Sequence, residues 1–336
     1  MKRISLSAGR RATAVLVALA AVAAAAIGVT GAASHTAATP RIAYLSFAVA
    51  NSYDAPMLAA AKKVAKAQGV AEPAVFDAAN DPTKQLQQLQ TLVTTKQYNG
   101  IILQPITGPQ LLPTVRQAIQ AGIKVVNIDQ ILGRNLGTAR PPLAGLSGNV
   151  VFVQTQMGRK QGALVVRACE KIKAKPCKVG YMYSVKVSSL DGAIKKGFDA
   201  TTKGHGIQVV AEGQTFYNPA QALKDAQTML QGHPDIDLIV GADQAATGAE
   251  QALNGKKVTL VGYGGGAVGL KRIKAGKWFG TVMQRPATEG KLGMQCLIKA
   301  VKTGKGCKGI DVLANLPNGG VVTKANASKF KAEWPG

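Results

Sequence analysis

The side chains able to do polar chemistry collect just after the short apolar runs of this 336-residue chain. Asn51-Ser52-Tyr53-Asp54 follow the run at 41–47, and Asp129 and Gln130 follow 124–128. Phe216-Tyr217-Asn218 come after 207–211, and Asp243 and Gln244 after 238–240. Gly264-Gly265-Gly266 come after 258–261, and Gln284 after 279–283. Amides and carboxylates exchange hydrogen bonds with a polar ligand, while a phenol ring offers a flat apolar face. Asn51, Tyr53, Asp54, Asp129, Gln130, Tyr217, Asp243 and Gln284 are therefore the candidate ligand-binding residues. Any one of them would serve equally well as a helix cap or turn residue. Their joint occurrence carries the reading.

Catalytic arrangements are sparse. His35, His205 and His233 have no candidate nucleophile in sequence context, and no GxSxG elbow is present. Asp54, Asp129 and Asp243 could in principle serve as acid and base, but accepting hydrogen bonds from ligand hydroxyls is the simpler role. The spacing of the four cysteines includes no CxxC, which argues against zinc. The string from Gly264 to Gly269 is a literal GxGxxG after a strand. In a dinucleotide fold an acid would close the next strand to hold the ribose, and here that place is Gln284. The string is read as a flexible glycine turn. No catalytic residue, metal or cofactor is expected.

These residues need a frame that puts strand ends together. Apolar, β-branched runs at 100–103 and 124–128 have the look of parallel strands buried on both faces. Helical periodicity fills the gaps, with Asp81-Pro82 as a cap and first-turn pair and Gly69 and Gly122 as stops. A Pro/Gly-rich stretch at 133–148 interrupts the alternation, which then restarts. Two such series predict an α/β protein of two doubly wound, Rossmann-like lobes joined by a three-segment hinge. The chain is expected to cross near 147–149, 284–286 and 316–320. One lobe then comprises 41–148 plus 285–318, and the other 149–284 plus 319–336. Ligands of such sheets lie beyond the carboxyl ends of the strands, where the candidate residues fall.

Charge is the odd feature of the composition. Lys and Arg number 41 against 17 Asp and Glu, giving +24, while hydrophobic residues make up 46%. Residues 1–33 have a basic head (Lys2, Arg3, Arg10, Arg11), an uncharged run at 12–29 and Gly31-Ala32-Ala33. They read as a signal peptide cut near Ala33, with an N-terminal membrane anchor as the alternative. Removing those four charges leaves +20. The other basic residues lie in clusters such as Lys62/Lys63/Lys66 and Lys271/Arg272/Lys274/Lys277, without a basic-aromatic ladder or helix-turn-helix pattern. A solvated helix surface explains them, and nucleic acid is not an expected partner. Cys169, Cys177, Cys296 and Cys307 fit an oxidising compartment. Of the three possible pairings, Cys169–Cys177 and Cys296–Cys307 are preferred because each brackets a Lys/Gly-rich helix exit.

Over residues 41–325 the chain resembles the periplasmic sugar-binding proteins of ABC importers, the ribose/galactose-binding type with the type I fold. The likeness rests on Asn51-Ser52-Tyr53-Asp54, Asn80-Asp81-Pro82-Thr83-Lys84-Gln85, Ile101-Ile102-Leu103-Gln104-Pro105 and the string Ala121 to Asp129. It continues through His233-Pro234-Asp235-Ile236-Asp237, Gly241-Ala242-Asp243, Thr247-Gly248-Ala249 and Val261-Gly262-Tyr263. The resemblance implies an exported periplasmic monomer that captures a small carbohydrate between its lobes and docks on an ABC permease. A sensor- or chemoreceptor-linked binding protein would carry the same signals. By the same resemblance Tyr53 and Tyr217 would sandwich a sugar ring, and Asn51, Asp129 and Gln284 would bind its hydroxyls. Asp54 falls where the family often has a second aromatic. Gln130 and Ile194 stand where ribose binders have arginines, Ala242 replaces an Asn and Gly264 an Asp. These departures lead to the expectation of a larger or less densely hydroxylated ligand, with space opened at Ala242 and Gly264.

Overall fold

The computed structural model describes residues 38–336. The expected signal peptide therefore lies outside the described residues. In the first half of the chain β1 (Ile42–Ser46), α1 (Asp54–Ala67), β2 (Ala74–Asp77), α2 (Pro82–Thr95) and β3 (Gly100–Leu103) alternate. α3 (Gly108–Gln120), β4 (Lys124–Asp129) and β5 (Gly148–Val151) follow. The helix ends have local causes. Asp81 accepts from the Thr83 and Lys84 amides while Pro82 opens α2, satisfying donors that a helix start leaves bare.

The second half runs α4 (Gln154–Ile172), β6 (Cys177–Tyr183), α5 (Ser189–Thr202), β7 (Ile207–Gln214), α6 (Pro219–Gly232) and β8 (Leu238–Val240). α7 (Asp243–Ala252), β9 (Thr259–Val261), α8 (Ala267–Lys274), β10 (Gly280–Val282), α9 (Pro286–Thr303), β11 (Gly309–Asp311) and β12 (Val321–Thr323) complete it. One sheet has the order β11-β5-β4-β3-β1-β2 and is parallel throughout. The other has the order β12-β10-β9-β8-β6-β7, parallel except for the edge strand β12, which runs antiparallel to β10. α9 returns to pack on α1, β3, β4 and β5 of the first lobe. Gly290 permits that return, since a Cβ there would stand 1.9 Å from the Met57 carbonyl oxygen.

The first crossing departs from the sequence expectation. β5 pairs with β4 on one side and β11 on the other, so the chain leaves the first lobe after Val151 and not at 148/149. The four-residue strand was hidden by Asn149, a polar residue at a fully buried place. Its amide is absorbed within the lobe, accepting from Asn127 Nδ2 at 2.7 Å and donating to the Ala139 carbonyl at 2.8 Å. The other passages lie between β10 and α9 and between β11 and β12. Among the described residues, no helix is long and apolar enough to cross a membrane.

Both disulfides form as preferred. Cys169–Cys177 ties α4 to the start of β6, and Cys296–Cys307 ties α9 to the loop before β11. Loops of 8 and 11 residues are short, so each bridge is expected to contribute about 2–3 kcal/mol by restricting the unfolded chain. Replacing either pair by serine should lower the thermal midpoint in calorimetry, and reductant should lower the wild-type midpoint but not that of a variant with all four cysteines replaced by serine. An unchanged midpoint on reduction would remove the structural role of these bridges.

Candidate functional site

A cavity lies between the lobes, walled by strand ends from both sheets. From the first lobe come Phe47, Asn51, Tyr53 and Asp54 after β1, Gln104 after β3, and Asp129 and Gln130 at the end of β4. From the second come Leu190 in the first turn of α5, Tyr217 after β7, Gln244 in α7, Tyr263 after β9 and Gln284 after β10, with Trp334 from the C-terminal tail. The clear space in the site is only ≈ 20 Å³. That is room for about one water, so the lobes stand closed on the site. Gln244 Nε2 donates to Asn51 Oδ1 at 3.2 Å, directly across the gap.

The first-lobe wall is acidic. Gln104 Nε2 donates to Asp54 Oδ1 at 2.7 Å and to Asp129 Oδ2 at 3.0 Å, holding the two carboxylates side by side. The Tyr53 hydroxyl lies 3.2 Å from Asp129 Oδ1 and 3.4 Å from Glu289 Oε2, and so joins a third carboxyl from the first turn of α9. No Lys, Arg or His among the described residues lines the cavity. Burial pushes Asp54 and Glu289 well above the ordinary carboxylate range, with the Asp129 charge as the next cause for both. Burial likewise raises Asp129 to about 6, held down only by the bonds it accepts. Asp129 itself sits at φ 65, a conformation that a side chain other than Gly or Asn seldom adopts.

The second-lobe wall is aromatic. Phe216 and Tyr217 are consecutive residues at φ 50 and 55, a strained corner that turns the Tyr217 ring into the cleft. Its ring meets Phe47 of the opposite lobe edge-on, with centroids 6.1 Å apart. The Tyr263 hydroxyl shares a hydrogen bond with Ser184 Oγ at 3.0 Å. Trp334 meets Tyr53 edge-on at 5.5 Å.

Trp334 overturns two expectations. A Cβ on Gly264 would stand 2.6 Å from the indole, so the space expected there is filled by the ring. Trp334 Nε1 also donates to the Gly264 carbonyl at 2.9 Å, and a Cβ on Gly266 would meet Gly336 at 2.6 Å. The glycine string is thus a packed seat for the C-terminal tail and not a flexible turn. Ala242 is buried and does not line the cavity, so the expected enlargement has no basis there either.

Of the candidate residues, Asn51, Tyr53, Asp54, Asp129, Gln130, Tyr217 and Gln284 line one cavity. Asp243 does not. It accepts from Thr281 Oγ1 at 2.7 Å and from the Gly266 amide at 2.9 Å, so its carboxylate is spent tying β10 and the glycine turn to α7. Ile194 is fully buried in the second lobe, away from the cavity. Sequence reasoning missed Phe47, Leu190, Tyr263 and Trp334 as wall residues, and Glu289 behind Tyr53. Gln104 and Gln244 carried the right signal, a polar residue directly after a strand run.

The comparisons agree with this geometry. Residues 42–306 match the model of the periplasmic binding protein domain, and the chain belongs to that family. A D-allose-binding periplasmic protein of Escherichia coli is 31% identical over 235 residues, spanning 67% of this chain and 72% of its own. The ribose import binding protein RbsB of Bacillus subtilis is 26% identical over 237 residues, spanning 70% and 72%. An ABC transporter solute binding protein from Mycobacterium smegmatis, solved with bound glycerol, superposes with a TM-score of 0.72. It is 26% identical, and the match covers 89% of this chain and all of that one.

The buried acids make a prediction about pH. Asp54, Asp129, Asp191, Asp243 and Glu289 are all raised by burial, Asp129 and Asp243 to about 6 and Asp191 to about 7. The folded chain therefore binds more protons than the unfolded one between about pH 4 and 7, and stability falls as pH rises through that window. The thermal midpoint should drop by roughly 2–5 °C from pH 5.5 to pH 8, and Asp191→Asn should flatten the drop. A midpoint that climbs over that range would contradict the assignment.

Proposed function

We propose that this chain is an extracytoplasmic solute-binding protein of an ABC importer. It captures a small hydroxylated molecule, a sugar or sugar-like compound, between its lobes and delivers it to a membrane permease. The observation that carries this reading is one cavity with an amide- and acid-rich wall from one lobe and an aromatic wall from the other. Amide and carboxyl groups of Asn51, Gln104, Asp129, Gln130 and Gln284 suit hydroxyls, and Tyr53, Tyr217 and Trp334 offer faces to ring C–H groups. The relatives' ligands support the same class. Export with cleavage near Ala33, action as a monomer, and docking of the closed form on the permease belong to this proposal.

In this reading the ligand touches both lobes and so favours the closed arrangement. The clear space in the cleft is small, so entry requires the lobes to part and the Asn51–Gln244 contact to break.

A thermal-shift panel of sugars, polyols, nucleosides and amino acids should give an upward shift with at least one hydroxylated compound, since binding stabilises by mass action. Small-angle scattering on that pair should show compaction. Tyr217→Ala and Gln284→Ala should each weaken binding by about 10- to 100-fold in calorimetry, and the midpoint without ligand should change little for Gln284→Ala but fall for Tyr217→Ala, which also loses packing on Phe47. Binding without compaction, or indifference to both substitutions, would overturn the reading.

A further inference from the structure

The polar character of the cavity is one-sided. Asp54 and Asp129 are 2% and 3% exposed and both line it, with Glu289 behind the Tyr53 hydroxyl. Asp54 Oδ2 and Gln130 Oε1 are buried acceptors in this wall without a hydrogen-bond partner. Gln104 Nε2 is spent on Asp54 Oδ1 and Asp129 Oδ2 and Gln244 Nε2 on Asn51, so neither serves Asp54 Oδ2 or Gln130 Oε1. Buried acceptors without donors, and buried carboxylates without a cation, are both unfavourable unless a partner arrives. A partner that brings several donors and a positive charge answers both, and an ammonium group brings three donors and no acceptor. Rings suited to facing a cation stand around the same space in Tyr53, Tyr217 and Trp334. A metal ion fits less well, because the described residues contain no group of His, Cys, Asp and Glu arranged to hold one.

We infer that the solute carries a protonated amine, seated against Asp54 and Asp129, on a small hydroxylated frame such as an amino sugar or amino polyol. This inference rests on the solute-binding reading and narrows its ligand. The basic exterior does not oppose it, since charges on outer helix faces are screened beyond about 8–10 Å while the buried acids act at contact.

The ligand and the protons compete for the same oxygens. The groups that face the two aspartates are Gln104, Gln130, Tyr44, Tyr53 and Glu289, with Asp77 acting on Asp54 and Glu333 on Glu289 through charge. All of the titratable ones are acids or phenols. A cation favours the ionised carboxylates, so affinity for the amine should rise from pH 5 to 7.5 with release of protons. A neutral sugar that accepts from protonated carboxyls would instead bind more tightly as pH falls.

The test compares matched probes on the mature chain by thermal shift and calorimetry: glucosamine, galactosamine and mannosamine, each beside its parent hexose and its N-acetyl form, with serinol beside glycerol. At least one amine should bind at least tenfold more tightly than both of its neutral counterparts. Asp54→Asn and, independently, Asp129→Asn should abolish that preference while the midpoint without ligand is kept or raised. Asp54→Glu should restore part of it. Tighter binding of a neutral sugar than of its amine, or affinity that falls as pH rises, overturns the inference and leaves the solute-binding reading intact. Silence from both this set and the broader panel overturns both.

Discussion

The side-chain amide of Gln104 is the contact on which the binding wall depends. It donates to Asp54 and Asp129, and its oxygen accepts from the Phe47 amide at 3.1 Å. Its backbone is held as firmly, donating to Leu45 and accepting from Gln85 Nε2 at 2.8 Å, while Gln85 Oε1 accepts from the Ile106 amide. One buried, fully satisfied amide thus links β1, β3, β4 and α2 at the carboxyl edge of the first sheet. A network of this kind is stiff because any unpaired member would cost the desolvation of a buried polar group. Burial is the main reason the two aspartates hold their protons, and for Asp54 the nearby Asp129 charge adds to it.

Closeness of like charges is one form of stored unfavourable energy in this cleft, and backbone strain is another. Asp129, Phe216 and Tyr217 all have positive φ, and two of these three residues line the cavity. Side chains with a Cβ enter that region at an energetic penalty, so the surrounding packing must hold them there. For Tyr217 one holding contact is visible with the lobes closed, the edge of the Phe47 ring across the cleft.

Much of this was legible in the sequence, for a physical reason. Parallel strands buried on both faces leave unbroken apolar runs, and the first polar residue after such a run is bound to lie at the sheet edge where clefts form. Asn51, Asp129, Tyr217 and Gln284 were found by that rule alone. The rule failed where a residue reaches the cleft from elsewhere or where a polar residue is consumed within the fold. Trp334 follows no strand and comes from a tail with no regular pattern, so only the third dimension places it on the glycine turn. Asp243 obeys the rule and yet serves Thr281 and Gly266, a choice that no local pattern reveals. β5 escaped notice because Asn149 breaks its apolar run, and the partner that neutralises it, Asn127, belongs to another strand.

The distribution of charge joins these observations. An excess of +24 on the whole chain coexists with a cavity whose only charged side chains among the described residues are carboxylates. The clusters at Lys171/Lys173/Lys175 and Lys271/Lys274/Lys277 are exposed, whereas Asp54, Asp129 and Glu289 are almost wholly buried. Exposed charges are solvated and screened, and their removal changes little in the interior. Buried carboxyls are not screened, so they dominate the potential inside the cleft even though they are outnumbered on the molecule. Surface and site therefore answer to different partners. The exterior attracts anions at long range, and the interior presents its buried acceptors only at contact.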